Sequence, residues 1–219
     1  MNGFKRVFLI TVDCLRADYV DYISGGNMTP NINALAEESI VFTRAFSNGP
    51  GTNQSFPSIL TSTYFFMHDG LRLDPQYTTL AEVLGKHGFR TVAFHSNPFL
   101  SKTFGWNKGF HEFYDFMDVI KSPSAFATLQ ERKSISSKLI KFIATLLGAS
   151  HNASIQRFLK KIYYRFFSRF EIPYLDGREL NKNVISWIEK NLNETFFLWI
   201  HYMDCLLYTS DAADELDGV

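Results

Sequence analysis

Hydrophobic positions along the chain alternate between two patterns, and their order predicts the fold. Apolar runs typical of buried strands occupy residues 6–12, 40–46, 89–97 and 195–203. Between these runs, apolar residues at helical spacing predict helices within 29–39, within 78–88 and along 180–192. Because strands and helices alternate, the pattern predicts a doubly wound α/β sheet, in which the run 6–12 is covered on both faces.

Polar residues follow the predicted strands at the points where these strands end. They are Asp13, the loop 47–55, the stretch 95–97 and the turn 201–204. In open α/β sheets, ligands bind beyond the carboxyl ends of the strands. We therefore expect four strand ends to form one polar rim that holds the functional site.

A basic segment separates the two halves of this pattern. Residues 121–170 contain ten Lys or Arg residues and a single acid, Glu131, although the whole chain has 22 basic and 22 acidic residues. Within it, residues 155–170 have the spacing of an amphipathic helix. We interpret this helix as one that packs on the sheet or on a second helix. A lid over an anionic substrate and a membrane-surface helix are the alternatives. The balanced total charge does not indicate a nucleic-acid partner.

The ends of the chain carry further signals. The N-terminus resembles a first buried strand rather than a signal peptide, and no apolar run is long enough to span a bilayer. Cys14 and Cys205 form no disulfide framework, so the expected location is the cytoplasm. Residues 205–219 resemble translated sequencing adaptor, and we treat them as an artefactual tail that follows a natural chain ending near Asp204.

Two residues in the predicted rim have side chains suited to catalysis. Asp13 could bind a hard cation, and it could equally cap a short helix. Ser55 lies in the hydroxyl-rich stretch 51–62, and with Pro57 in the first turn it is expected to be a helix N-cap. A helix N-terminus stabilises negative charge, but a serine still needs a base or a metal to become nucleophilic.

Four stretches, in order, resemble the N-terminal part of sulfatases in the alkaline phosphatase superfamily. They are VFLITVDCLRADYV, TPNINALAEESIVFTRAFSNGPGTNQSFPSILTS, GFRTVAFHSNPFLS with GWNKGFHEFYDF, and FLWIHYMD. The resemblance covers roughly residues 1–118 and 178–204. It implies an alkaline-phosphatase-like, doubly wound, mostly parallel α/β sheet that is truncated at its C-terminus. The partial catalytic domain would span 1–204, with 121–170 as a basic helical insertion.

The resemblance also assigns roles to residues. The family pattern Cys/Ser-x-Pro-Ser-Arg matches residues 55–59, which makes Ser55 the nucleophile, either as formylglycine or as an unmodified serine. Ile59 stands in place of the arginine, so the maturation signal departs from the pattern. Asp13 and Ser55 would bind a divalent metal ion, namely Ca²⁺, with Mg²⁺, Mn²⁺ or Zn²⁺ as alternatives. His95 would be catalytic, and Asn97 would bind the substrate anion.

The resemblance therefore implies a metal-dependent hydrolase of sulfate esters that acts on a small anionic ester. A phosphomonoester or phosphodiester hydrolase, a transferase of phosphoryl head groups and a non-catalytic anion-binding protein are the alternatives. In this family further metal ligands follow the HYMD segment, so residues 1–204 would hold an incomplete site and show little turnover by themselves.

Overall fold

The computed structural model describes residues 5–68, 72–117 and 175–204. Its four strands are β1 (Arg6–Val12), β2 (Arg90–His95), β3 (Glu112–Tyr114) and β4 (Phe196–Tyr202). All described pairings are parallel, and the strand order is β1-β4-β2-β3. The predicted strands at 6–12, 89–97 and 195–203 are confirmed. The predicted basic insertion 121–170, its helix at 155–170 and the tail 205–219 lie outside the described residues.

Five α-helices are described besides short 3₁₀ turns. They are α1 (Asp21–Ser24), α2 (Pro30–Glu37), α3 (Thr52–Thr61), α4 (Leu80–Lys86) and α5 (Gly177–Lys190). The predicted helices α2, α4 and α5 are thus confirmed. Local signals explain the bounds of α4: the Thr79 side chain and Glu82 form a capping box at its start. Gly88, just after its end, has a φ of +83°, which glycine adopts without strain.

Helices cover both faces of the sheet, as the alternating pattern predicts. On one face, Phe56 and Leu60 of α3 pack with Ala81 of α4 against Ala93 and Trp199 of the sheet. On the other face, α5 buries an apolar stripe against the neighbouring side chains of β2 and β4: Leu180, Val184 and Trp187 against Val92, Phe94, Leu198 and Ile200. Successive residues of β4 point to opposite faces, so every second side chain enters the same core.

The prediction that β1 is covered on both faces is wrong. Val7 and Leu9 pack into the core below α3 and α4, but Phe8 and Ile10 on the opposite face are 47 % and 58 % exposed. The reason is the position of β1 at the edge of the described sheet, since the core on that face is built by α5 with β2 and β4. A continuous apolar run cannot by itself show whether both of its faces find a partner layer.

The predicted strand at 40–46 is also wrong. These residues form turns and irregular chain, and Ile40, Phe42 and Phe46 are 84 %, 78 % and 89 % exposed. Strand propensity reflects how well a side chain fits a paired, half-buried surface, and this segment pairs with no described strand. Among the described residues, every helix is too short or too polar to cross a bilayer.

Candidate active site

Side chains from β1, α3 and the ends of β2 and β4 meet around one carboxylate, that of Asp13. The Thr52 hydroxyl donates to Asp13 Oδ2 at 3.1 Å, and Asn97 Nδ2 donates to the same oxygen at 3.4 Å. The Nε2 atom of His201 lies 3.7 Å from Oδ2. The structure therefore brings all four predicted strand-end segments to one point, and the loop 47–55 contributes Thr52, the first residue of α3.

The backbone fixes where the Asp13 side chain starts. The Asp13 N–H donates to the carbonyl of Tyr202 at 2.9 Å, so β1 and β4 stay joined one residue beyond the last strand pair. The next residue, Cys14, has a φ of +55° and turns the chain away from the strand direction. Its thiol donates to Asp13 Oδ1 at 3.4 Å. The Asp13 side chain is 15 % exposed, which leaves it open to solvent at the rim.

The helix that carries the predicted nucleophile begins earlier than the sequence predicts. Gly51, with extended backbone angles, is the N-cap of α3, and Thr52 is its first helical residue. Ser55 is therefore not the N-cap, and Pro57 lies inside the helix rather than in its first turn. Glycine is an acceptable cap because the residue at that position leaves the helical conformation. Thr52 and Ser55 are three residues apart, so their side chains lie on neighbouring parts of one helix face.

Ser55 contacts the N-terminal end of its own helix through its hydroxyl, and it also lines a cleft. Its Oγ donates to the Gly51 carbonyl at 2.9 Å, a contact one helical turn back. The cleft, of about 360 Å³, mixes hydroxyl, amide and apolar side chains from the 45–48 segment and from α3: Ala45, Phe46, Ser47, Asn48, Ser55, Ser58 and Ile59. Since a carbonyl accepts a proton only weakly, this hydrogen bond orients Ser55 without making it nucleophilic.

Asn97 is fully buried, and its amide group is fixed in orientation. Asn97 Oδ1 accepts from the N–H of Phe99 at 2.9 Å, at the start of the 3₁₀ turn Pro98–Leu100. The amide nitrogen must then point to the other side, where it meets Asp13 Oδ2 and the Sδ atom of Met203. Asn97 thus supplies a donor to the carboxylate from the end of β2.

His95 lies below the rim rather than in it. The ring is completely buried and packs at 5.0 Å and 5.2 Å, between ring centroids, against Phe113 and Trp199. Its Nδ1 accepts the N–H of Asn97 at 3.2 Å, whereas its Nε2 has no hydrogen-bond partner. Burial, with the nearby His201 and Lys102 as smaller causes, lowers the pKa of His95 well below its ordinary value. The ring is therefore neutral. It is linked to the site by its hydrogen bond with the backbone of Asn97.

Sequence reasoning did not assign His201, which the structure places against Asp13. The ring is 1 % exposed, and its Nδ1 lies 2.9 Å from the Thr11 hydroxyl. Burial lowers the pKa of His201 to about 4, although the Asp13 carboxylate opposes this shift. The available signal was the position of His201 at the end of a buried strand, within the HYMD segment that matches the family.

Asp204 lies in the same predicted turn as His201, but its side chain contacts the start of α5 and not Asp13. Its Oδ1 accepts the N–H of Gly177 at 2.9 Å, at the start of α5. A side chain at Gly177 would meet this carboxylate, since a Cβ built there lies 2.8 Å from Asp204 Oδ2. Asp204 therefore ties the end of β4 to the helix on the opposite face of the sheet.

The donor atoms around Asp13 match one side of a site for a hard divalent cation. A carboxylate and a hydroxyl are oxygen ligands of the kind that Ca²⁺ and Mg²⁺ take, and Ca²⁺ binds about six to eight of them. In the part of the chain that the structure describes, no group of three or more His, Cys, Asp or Glu side chains could hold a metal ion. The described residues fit such an ion in ligand type, and they would supply only part of its ligand set.

Comparisons with known proteins bear on this arrangement. The family model described as Sulfatase matches residues 5–205, which is most of the chain. A search of curated proteins found no significant match. The matched range includes the first strand, α3 and the ends of β2 and β4, so it contains every residue described around Asp13.

Proposed function

Because the chain belongs to the sulfatase family, we propose that it is a metal-dependent hydrolase of sulfate esters with Asp13 and Ser55 at its metal ion. Family membership supports hydrolase chemistry of the sulfatase type and the alkaline-phosphatase-like fold. The observation that carries the residue assignment is the contact between Asp13 and Thr52, because it joins the carboxylate at the end of β1 to the helix that bears Ser55.

The proposed metal ion is Ca²⁺, and Mg²⁺, Mn²⁺ and Zn²⁺ are the other outcomes of a metal screen. When bound, a divalent cation lowers the pKa of a coordinated hydroxyl and neutralises charge on the ester oxygens. Asp13 would hold it through the carboxylate, and Ser55, three residues after the Asp13 partner Thr52 in α3, is the second proposed ligand. The two donors that hold Asp13 Oδ2 keep the carboxylate in one orientation, which favours binding without rearrangement.

In the proposed reaction, Ser55 Oγ attacks the sulfur atom of the ester. The new O–S bond forms while the bond from sulfur to the leaving oxygen breaks, and the proton that Ser55 loses passes through water to that oxygen, so that the alcohol leaves neutral. Water then attacks the same sulfur, which releases sulfate and restores the serine. The reaction uses an unmodified serine, because Ile59 replaces the arginine of the modification signal and is itself 41 % exposed beside the cleft.

Two further residues have proposed roles at the substrate end of the site. Asn97 would orient the carboxylate and the bound anion through one amide N–H, the one that reaches Asp13. His95 is proposed to act as a positioning residue through Asn97, whose backbone N–H it accepts. This role differs from direct proton transfer, which needs a ring within hydrogen-bond reach of the substrate.

The test is hydrolysis of an aryl sulfate and an aryl phosphate by a full-length version of the protein, which carries the family's further metal ligands after the HYMD segment, with and without a metal chelator. We expect metal-dependent hydrolysis that is faster for the sulfate. The two esters share a tetrahedral anionic group, so a faster reaction with the phosphate would favour the alternative of a phosphate-ester hydrolase. Mass spectrometry of the peptide that contains Ser55 shows whether the serine has lost two hydrogens to become formylglycine.

Ser55→Ala is the decisive variant, and Ser58→Ala is its matched control in the same helix and cleft. Removal of a nucleophile typically lowers turnover by about 10³-fold or more. We expect this loss for Ser55→Ala and a change of less than about tenfold for Ser58→Ala. Equal turnover by wild type and Ser55→Ala would remove Ser55 from the mechanism. Absence of hydrolysis of both esters by the wild type would favour a non-catalytic protein.

A further inference from the structure

The buried ring of His201 contacts the candidate metal ligand but has no role in the proposed reaction. The ring lies against three polar groups: Nδ1 is 2.9 Å from the Thr11 hydroxyl, and Nε2 is 3.4 Å from Asn97 Nδ2 and 3.7 Å from Asp13 Oδ2. A ring in this position either fills space beneath the rim or orients the polar groups above it. The directions of the hydrogen bonds distinguish these two roles.

The surroundings of Thr11 and Asn97 decide which ring nitrogen carries the proton. Asn97 Nδ2 is only a donor, and the amide cannot reverse without losing the bond from Phe99 N–H to Oδ1. Nε2 of His201 therefore has to accept from Asn97, which leaves the ring proton on Nδ1. This proton can be donated to Thr11 Oγ1.

The Thr11 hydroxyl can accept that proton without losing its other partners. Its oxygen also accepts from the indole N–H of Trp199 at 3.1 Å, and its own proton can be donated to the Ile200 carbonyl at 3.3 Å. With His201 protonated at Nδ1, each donor in this set has an acceptor. Protonation at Nε2 would instead place two donors against each other at 3.4 Å.

We infer that His201 is a positioning residue: it accepts one amide proton of Asn97 and thereby directs the other toward the Asp13 carboxylate. This inference rests on the proposed function, since it gives His201 a purpose only if Asp13 binds a cation. The chain of contacts runs from the sheet core to the ligand, from Trp199 and Thr11 through His201 and Asn97 to Asp13. Groups that orient a metal ligand in this way commonly change metal affinity by about 10-fold to 100-fold.

A role in packing alone predicts a different result. The His201 ring meets Phe56 edge to face at 5.0 Å between centroids, and this contact needs only an aromatic ring. His201→Phe keeps a ring there and removes both nitrogens. His201→Gln keeps an acceptor near the position of Nε2. The two variants therefore separate hydrogen bonding from packing.

The first experiment uses calorimetry to measure the binding of Mn²⁺, as the probe ion, to the same full-length protein as the hydrolysis test. We expect His201→Phe to raise the dissociation constant about tenfold, at the low end of the range above, because the contacts of Asn97 Nδ2 with Asp13 and His201 are both long and the same nitrogen also meets Met203 Sδ. His201→Gln should recover a large part of this loss. The matched control is His111→Phe, which breaks a comparable bond of 2.7 Å to Thr91 at the amino end of β2 and should leave Mn²⁺ affinity within about twofold.

Two results of this titration have separate meanings. If the wild type binds Mn²⁺ and His201→Phe binds it equally well, the positioning role is overturned while the proposed metal site stands. If the wild type binds no Mn²⁺, the metal site of the proposed function fails, and the positioning role fails with it.

The second experiment uses the wild type alone, so it does not depend on the folding of a variant. Long-range ¹H–¹⁵N correlation spectra identify which nitrogen of each histidine ring carries the proton. We expect the neutral Nδ1–H form for His201 at neutral pH. Observation of the Nε2–H form would overturn the inference, because Nε2 could then not accept from Asn97.

Discussion

At the scale of single residues, the site depends on Asp13, whose carboxylate lies at the meeting point of β1, α3 and the ends of β2 and β4. Its Oδ2 atom accepts one hydrogen bond from the Thr52 hydroxyl and one from the Asn97 amide. Both donors are neutral, so they orient the carboxylate without cancelling its charge. A cation at the rim would therefore meet a carboxylate that is already oriented.

This arrangement predicts that Asp13→Asn weakens cation binding. Replacing the carboxylate by a neutral amide removes the charge that attracts the ion, and we expect Mn²⁺ affinity, measured by calorimetry, to fall by about 100-fold or more. Asp18→Asn is the control, because Asp18 is an exposed acid five residues away that pairs with Arg16 at 2.6 Å. Equal affinities for the two variants would contradict the assignment of Asp13 as a ligand.

At the scale of elements, α3 packs on the sheet through buried side chains, and Phe56 makes the aromatic contacts. Phe56 is 5 % exposed and contacts three rings, those of Trp106, Trp199 and His201. Ser55 is the preceding residue, so the packing of Phe56 also determines where the Ser55 side chain can point. The helix that carries the proposed nucleophile is thus held in place by packing against the core rather than by its N-cap.

We therefore expect Phe56→Ala to destabilise the fold. Loss of a buried phenylalanine typically costs about 3 to 5 kcal/mol in the free energy of unfolding, because the cavity left behind fills only in part. The control is Phe66→Ala, since Phe66 is 80 % exposed and should change the same free energy by less than about 1 kcal/mol. Urea unfolding followed by tryptophan fluorescence measures both. Similar midpoints for the two variants would show that α3 does not depend on this contact.

At the scale of the whole molecule, two histidines are buried on one face of the sheet. His95 and His201 both have lowered pKa values, and burial is the leading cause for each. In the unfolded chain these rings take up protons near pH 6.5, whereas in the folded protein His201 does so only near pH 4 and His95 well below its ordinary value. Protonation therefore favours the unfolded chain as the pH falls below about 6.5.

The resulting prediction is a loss of stability between about pH 6.5 and pH 4, with full stability above this window. Each histidine contributes about 1.4 kcal/mol per pH unit where it is protonated only in the unfolded chain. Burial also lowers the pKa of His68, which adds in the same direction. His201→Phe removes one of these contributions and should make the dependence shallower. Urea unfolding at a series of pH values measures it. An unchanged slope in this variant would contradict the lowered pKa of His201.

The sequence determined the order and type of most elements and the identity of the central carboxylate. Strand and helix periods are local properties, so the strands at 6–12, 89–97 and 195–203 could be predicted from the sequence, and Asp13 could be placed at a strand end. The resemblance to sulfatases depended on the same local stretches. The start of α3 was misplaced because Gly51 offers no side-chain signal as a cap.

The tertiary structure decided which strand ends meet and what each side chain faces. Asn97 reaches Asp13 across 84 residues of sequence, and it does so because β4 lies between β1 and β2. The pleat turns successive residues of β2 and β4 to opposite faces, so the layer that covers each face decides whether a histidine lies in the core or near the rim. That layer comes from distant parts of the chain, and a local pattern contains no information about it.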